Sequence, residues 1–200
     1  MFRKFKYLVG QGIPSQECET ILQDLNKQKD KFKIRDEFGD SILSVYEIPY
    51  EEIEDSQGKR LMDQRIGELE KSLGLKYNED KFVIKYKDDR LEMIPHYDGY
   101  TETTLLYLNT DFEGGSTNFP LAKCQHNPQQ FQPGHYIHYS SKHPLSYHCG
   151  KPVTNGTKTV IVLRSSSNNS FLSKFIALPW IIFLSTIFIF IVKKLGYDKT

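Results

Sequence analysis

Cysteine is scarce in this sequence, and an excess of either charge is missing. The three cysteines, Cys18, Cys124 and Cys149, are widely spaced, odd in number and without a Cys-x-x-Cys pair. That argues against a disulfide framework and a structural zinc site, and favours a reducing compartment. Lysine plus arginine number 26 against 25 acidic residues, and the two signs are intermixed. No nucleic-acid partner is expected from such a balance. The basic start Met1-Phe2-Arg3-Lys4-Phe5-Lys6 has no apolar run behind it, so no cleavable signal peptide is expected. Phosphate-binding loops, dinucleotide glycine motifs, serine-nucleophile elbows and internal repeats are also missing.

What the chain has in quantity is aromatic side chains, 12 Tyr and 13 Phe in 200 residues. Strands use such residues well, and this length holds one domain with its own core. Residues 7–12 read as a short strand and turn. A helix opens at Pro14-Ser15, with Ser15 as its N-cap and Ile21, Leu22 and Leu25 on its apolar face; residues 27–33 are a charged loop. A strand ending at Pro49 follows. A second helix carries Leu61, Ile66, Leu69 and Leu73 on one side and stops at Gly74.

From Lys81 the pattern turns to strands, predicted over 81–87, 90–98, 103–109, 116–121, 129–132, 135–140, 144–149 and 158–164, with Asn155-Gly156 as a hairpin signal. Many short strands at this spacing predict a double-sheet jelly roll or another sandwich, mostly β with flanking helices. The expected divisions are a helix-and-strand support region over 1–80, a β core over 81–165, a Ser/Asn-rich linker over 166–173, a membrane-spanning helix over 174–193 and a polar tail over 194–200.

The spanning helix rests on residues 175–192, which carry no charge and lie between Lys174 and Lys193-Lys194. That is close to the shortest run able to cross a bilayer. A lipid bilayer is therefore an expected partner. A single-pass tail anchor would leave the large domain facing the cytosol.

Two residues introduce chemistry. On a strand, side chains two apart share a face, so His96 and Asp98 can present an imidazole and a carboxylate together, with Tyr97 turned away. A metal site needs a third ligand. His126, His135, His138, His143 and His148 all follow Asp98, and His135 and His138 cannot share one face of a regular strand. His138 or His143 could instead line a substrate cleft, and Arg164 could stand at its mouth.

At this point the sequence resembles a family. Phe82-Val-Ile-Lys-Tyr86, His96-Tyr-Asp98, Leu105-Leu-Tyr-Leu-Asn109, Phe112-Glu-Gly-Gly-Ser-Thr-Asn-Phe-Pro120, Pro133-Gly134 and His148-Cys-Gly-Lys-Pro-Val-Thr-Asn-Gly-Thr-Lys158 occur in the order found in Fe(II)- and 2-oxoglutarate-dependent dioxygenases. Within them they are most similar to the prolyl 4-hydroxylase-like branch. The similarity is firm over about residues 80–165 and loose over the first helix.

The resemblance implies a double-stranded β-helix core of the jelly-roll or cupin type. It implies His96, Asp98 and His148 as catalytic metal ligands for Fe(II), a set that occupies one face of an octahedron. Lys158 would bind the distal carboxylate of the cosubstrate 2-oxoglutarate, and Tyr86 would offer it a hydroxyl. O₂ is the other cosubstrate, and ascorbate an accessory reductant of such enzymes. The implied reaction hydroxylates a peptidyl proline and releases succinate and CO₂, which makes a proline-containing protein or peptide the expected substrate.

Gly114, Gly115, Thr117, Phe119 and Pro120 are expected to serve architecture. Three alternatives stand beside this: the same chemistry on another amino acid or small molecule, a catalytically silent jelly-roll module on a membrane, and a metal-binding cupin-type module without oxygenase chemistry.

Overall fold

The computed structural model describes residues 5–34, 45–87 and 95–166. By its contacts the chain divides into Met1–Ser165 and Ser166–Thr200, and the fold below is that of the first unit. The expected spanning run, the polar tail and all but Ser166 of the linker lie outside the described residues, as do residues 90–94 of the strand expected at 90–98. Among the described residues no helix is long and apolar enough to cross a membrane.

Twelve strands and two α-helices are described: β1 (Leu8–Gln11), α1 (Ser15–Lys27), β2 (Lys33–Ile34), β3 (Tyr46–Pro49), α2 (Gln57–Leu73), β4 (Lys81–Lys87), β5 (Glu102–Tyr107), β6 (Glu113–Gly114), β7 (Thr117–Phe119), β8 (Cys124–His126), β9 (His135–Ser140), β10 (Cys149–Gly150), β11 (Val153–Asn155) and β12 (Thr157–Ser165). Seven of them form one antiparallel sheet in the order β1-β9-β5-β12-β4-β3-β2. Short strands make two further sheets, β10-β7-β8 and β11-β6. This is a jelly-roll arrangement of one large and one fragmented sheet.

The large sheet is apolar on both faces, and alternation sorts its residues. On β12, Val160 and Val162 pack inward with Phe82, Ile84 and Tyr86 of β4, Leu105 and Tyr107 of β5, and Phe112, Phe119 and Val153 from the short-strand side. Their neighbours Ile161, Leu163, Val83 and Leu106 turn outward against Cys18, Ile21 and Leu25 of α1 and Met62, Ile66 and Leu69 of α2. Each helix brings a 3.6-period stripe to a sheet face of period two, as its sequence pattern requires. The helices are tied to each other where Gly58 N donates to Asp24 Oδ2 at 2.8 Å and where Arg65 pairs with Glu17.

Several local expectations need correction. Ser15 does not cap α1: Pro14 holds the cap position without a side-chain bond, and Ser15 Oγ donates to Pro133 O at 3.0 Å. The side-chain cap belongs to α2, where Ser56 accepts from Lys59 N, and Gly74 ends that helix in the left-handed conformation. Residues 129–132 are not a strand but contribute to a 3₁₀ turn at Pro128–Gln130, because proline removes a ladder donor. The strand expected over 144–149 shrinks to Cys149–Gly150. Asn155-Gly156 is not a hairpin: β11 pairs with β6, while β12 pairs with β4 and β5. The turn carries the chain from one sheet to the other. β8 went unnoticed, since Cys124-Gln125-His126 has no run of β-formers.

Candidate metal and anion site

His96, Asp98 and His148 converge, with one ligand atom from each lying within 4.8 Å of the others. Their gathering depends on an isolated antiparallel bridge. His96 N donates to His148 O at 2.9 Å and His148 N to His96 O at 3.0 Å. Directly opposed residues in such a bridge point to the same face, and the two imidazole rings lie 4.6 Å apart. Two residues on from His96, Asp98 returns to that face. Tyr97 turns away, as alternation predicts, and donates its hydroxyl to Pro144 O at 2.8 Å.

His148 and Asp98 are oriented from behind. The Nδ1–H of His148 donates to Ser146 O at 3.0 Å, which leaves the Nε2 lone pair facing the site; a second hydrogen bond of this kind sets the tautomer of a metal-binding histidine. The Asp98 side chain is only 3% exposed, and Arg164 Nη2 donates to its Oδ1 at 3.0 Å. Its Oδ2 accepts from Thr103 Oγ1 at 2.8 Å and from Tyr139 Oη at 3.0 Å. Since the Thr103 proton lies on Asp98, the 2.6 Å contact of Thr103 Oγ1 with Ser141 Oγ is donated by Ser141.

Burial by itself would raise the Asp98 pKa. The adjoining His96 imidazole and the positive charge at Arg164, with His148 beside it, outweigh burial and hold the carboxyl ionised far below its usual range. Burial lowers the His148 pKa and favours its neutral, ligating form.

The donor set fits a divalent metal ion. Two imidazoles and one carboxylate are borderline ligands suited to Fe(II) and its neighbours. Tyr139 Oη also lies 3.1 Å from His148 Nε2. The phenol has one proton for two acceptors, so a lone pair there is left for a cation.

A second charged group faces the same interior. Lys158 sits on the inner face of β12, opposite Tyr86 in register, and is 2% exposed. Its Nζ donates to Gly115 O at 2.7 Å and lies over the rings of Tyr86, at 4.5 Å, and Tyr107, at 5.5 Å. Among the described residues no carboxylate pairs with it. Burial lowers its pKa to about 7, slightly offset by Cys149. An ammonium held by one carbonyl and two aromatic faces is a site for an anion.

The glycine-rich segment shapes this cradle. Gly115 has φ of 64°, and a Cβ there would lie 2.9 Å from Phe112 and 3.2 Å from the Lys158 stem, so the residue opposite the ammonium has to be glycine. Asn109 fixes the start of β12, accepting from Thr159 N at 2.8 Å and donating to Thr157 O at 2.7 Å. Thr117 bonds Tyr107 Oη at 2.7 Å, and Phe119 packs its ring 5.6 Å from that of His148.

The competing histidines are elsewhere. His138 faces the helix layer and bonds Thr104 Oγ1 at 2.9 Å. His126 and His135 bond each other at 2.9 Å. Both are buried, which lowers their pKa values to about 3 and about 4 and keeps the pair neutral. The ring of His143 lies against Phe5. All three cysteines are free thiols. Inspection of the sequence missed Thr103, Tyr139 and Ser146, which hold the ligands but belong to no recognisable motif.

No family model matches the sequence, and no curated protein matches it. Solved structures do match the fold. A viral collagen prolyl hydroxylase from Paramecium bursaria Chlorella virus-1, determined as its 2OG complex, is similar with a TM-score of 0.58 and 18% identity, over 82% of this chain and 97% of that one. A prolyl-4-hydroxylase from Pseudomonas putida gives a TM-score of 0.59 at 13% identity, over 82% and 94% of the two chains. At these identities the likeness establishes a shared fold, the one anticipated from the motifs.

Proposed function

We propose that this chain is an Fe(II)- and 2-oxoglutarate-dependent dioxygenase that hydroxylates a peptidyl proline, releasing succinate and CO₂. The observation that carries the proposal is the pairing of two features inside one jelly roll: the cluster of His96, Asp98 and His148, and the buried ammonium of Lys158, which no carboxylate of the described residues meets. The prolyl hydroxylase structures that share the fold support the same chemistry, one of them as a 2OG complex.

His96, Asp98 and His148 would hold the iron, which when bound supplies the oxidative chemistry between O₂ and the keto acid. Lys158 would pair with the distal carboxylate of 2-oxoglutarate. Tyr86, opposite Lys158 in register and with its ring 4.5 Å from Nζ, would contact the cosubstrate beside it. The aromatic walls of Tyr107, Phe119 and Tyr139 exclude water from the ligands and strengthen every charge interaction within. The apolar run at 175–192 would anchor the domain to a membrane.

The test uses the full chain, loaded anaerobically with Fe(II) and 2-oxoglutarate. A weak visible metal-to-ligand charge-transfer band is expected, and His96→Ala should lack it. Folded wild-type protein without the band would overturn the iron assignment. Proline-containing and proline-free peptide libraries are then compared for gain of one oxygen atom and for succinate release. Oxygen gain in both alike would overturn the proline assignment.

A further inference from the structure

On its outer face the large sheet changes character from one cross-strand row to the next. Ile48, Val83, Ile161 and Leu106 are neighbours across β3, β4, β12 and β5, and all four lie in the apolar layer beneath the helices. Two positions along each strand, the same face carries Tyr46, Lys85, Thr159 and Leu108. Tyr46 is opposite Lys85, Lys85 is opposite Thr159, and Leu108 N donates to Thr159 O at 2.9 Å. These four residues, together with residues of α1, line a cavity of about 890 Å³.

The floor of the cavity is buried: Lys85 is 6% exposed and Thr159 2%. Lys85 Nζ donates to Asn26 Oδ1 at 2.9 Å and lies 4.2 Å from the centre of the Phe32 ring. Leu22 of α1 and Phe32 supply an apolar wall and are themselves only partly buried. The other charged residues at the cavity, Glu19, Lys29 and Asp111, are exposed, where water and salt screen them. The row therefore brings a phenol, an ammonium and a hydroxyl side by side on three adjacent strands, next to Leu108. All three can donate to an anion, and the ammonium alone carries charge. A lysine costs more on this face than the valine and isoleucines of the preceding row, and its attraction for an anion is strengthened by the same burial. A cavity of this size, with a few polar groups set among apolar ones, has the character of a small-molecule site.

We propose that this cavity is a second ligand site, one that takes a small organic carboxylate with an apolar body. The carboxylate lies against Tyr46, Lys85 and Thr159, and the body against Leu22, Phe32 and Leu108. The site is separate from the candidate metal centre. Tyr86 and Lys158 face the interior, their chain neighbours Lys85 and Thr159 face the helix side, and one thickness of sheet divides the two. It stands whether or not the metal centre is that of a dioxygenase.

Ligand-observed NMR titration of the full chain tests this with two probes, naphthylacetate and its uncharged amide, naphthylacetamide. Wild type is expected to bind the acid about tenfold or more tightly than the amide, as a charge-assisted bond implies. Lys85→Met should remove that preference by weakening the acid and leaving the amide unchanged. Lys158→Met, on the inner face, should change neither. Leu22→Trp fills the cavity from the helix side and should weaken both probes; it also serves if Lys85→Met fails to fold.

Equal binding of the two probes by wild type, or binding of neither at millimolar concentration, would overturn the proposal. A folded Lys85→Met that binds the acid as wild type does has the same consequence, as does one that loses acid and amide alike, the result of a purely structural lysine. Wild-type affinity in folded Leu22→Trp, or loss of the acid in Lys158→Met, would put the probe elsewhere and sink the site.

Discussion

Lys158 is a cation kept where cations are costly. With no carboxylate beside it among the described residues, burial brings its pKa from the usual 10.5 to about 7. Between those values the unfolded chain carries a proton at this position that the folded, ligand-free protein does not. The group therefore makes the ligand-free protein more stable as pH rises through that window, and less stable as pH falls toward 7. A carboxylate set against Nζ restores the proton. Binding of 2-oxoglutarate at about pH 8 should thus take up a proton and weaken as pH rises further. Calorimetry in two buffers of different ionisation enthalpy measures that uptake, and Lys158→Met should abolish it. Binding without proton uptake would sink the assignment of Lys158 to the distal carboxylate. Asp98 is the opposite case: with His96, His148 and Arg164 beside it, it stays charged in a place where an unpartnered carboxylate would not.

Among the elements, β12 does most to organise the molecule. It pairs with β4 on one side and β5 on the other, and its two faces have different tasks. The inner face carries Lys158, Val160, Val162 and Arg164; the outer face carries Ile161 and Leu163, both fully buried under the helices. This separation makes stability and ligand binding independent along one strand. Ile161→Ala should cost about 2–5 kcal/mol in urea unfolding, through lost burial and a cavity against α1 and α2. The folded variant should keep wild-type affinity for 2-oxoglutarate at saturating Mn(II), because sites on opposite faces with no shared partner add nearly independently. A parallel loss of affinity would show that the two faces are coupled.

At the scale of the whole chain, a jelly roll with a large apolar-faced sheet and a fragmented small one places two short loops, around Asp98 and His148, against a rigid wall. The helices contribute no group to the site; they bury the sheet's far side, which frees the near side for charged residues. The charge-free run at 175–192 is proposed as a membrane anchor, on its length and composition alone. Full-length protein is expected to stay with membranes through carbonate extraction, and protein ending at residue 170 to be released. Release of the full-length chain by carbonate would remove the anchor.

The periodicities and motifs determined a good deal by themselves. Alternation over 81–87, 135–140 and 158–164 marked strands, because residues buried on a strand face must recur every second position. His96 and Asp98 could be paired by spacing, but that left the third ligand open among five histidines; the resemblance of the ordered motifs from Phe82 to Lys158 to the dioxygenases is what implied His148 and Lys158 as their partners. Short pieces such as β8, β10 and β11 were misjudged or missed. Two or three residues carry no period, and their pairing depends on partners far away in the chain.

Only the tertiary structure decided that Asn155-Gly156 turns between sheets, that Thr103 and Tyr139 donate to Asp98, and that Arg164 reaches the same carboxylate from the far end of β12. The reason is physical. A metal ligand can be recognised by its own chemistry and its spacing from the next ligand. The group that orients it is chosen by proximity in space, where any hydroxyl or guanidinium that the fold delivers will serve, and proximity between residues dozens of positions apart is not written into any local pattern.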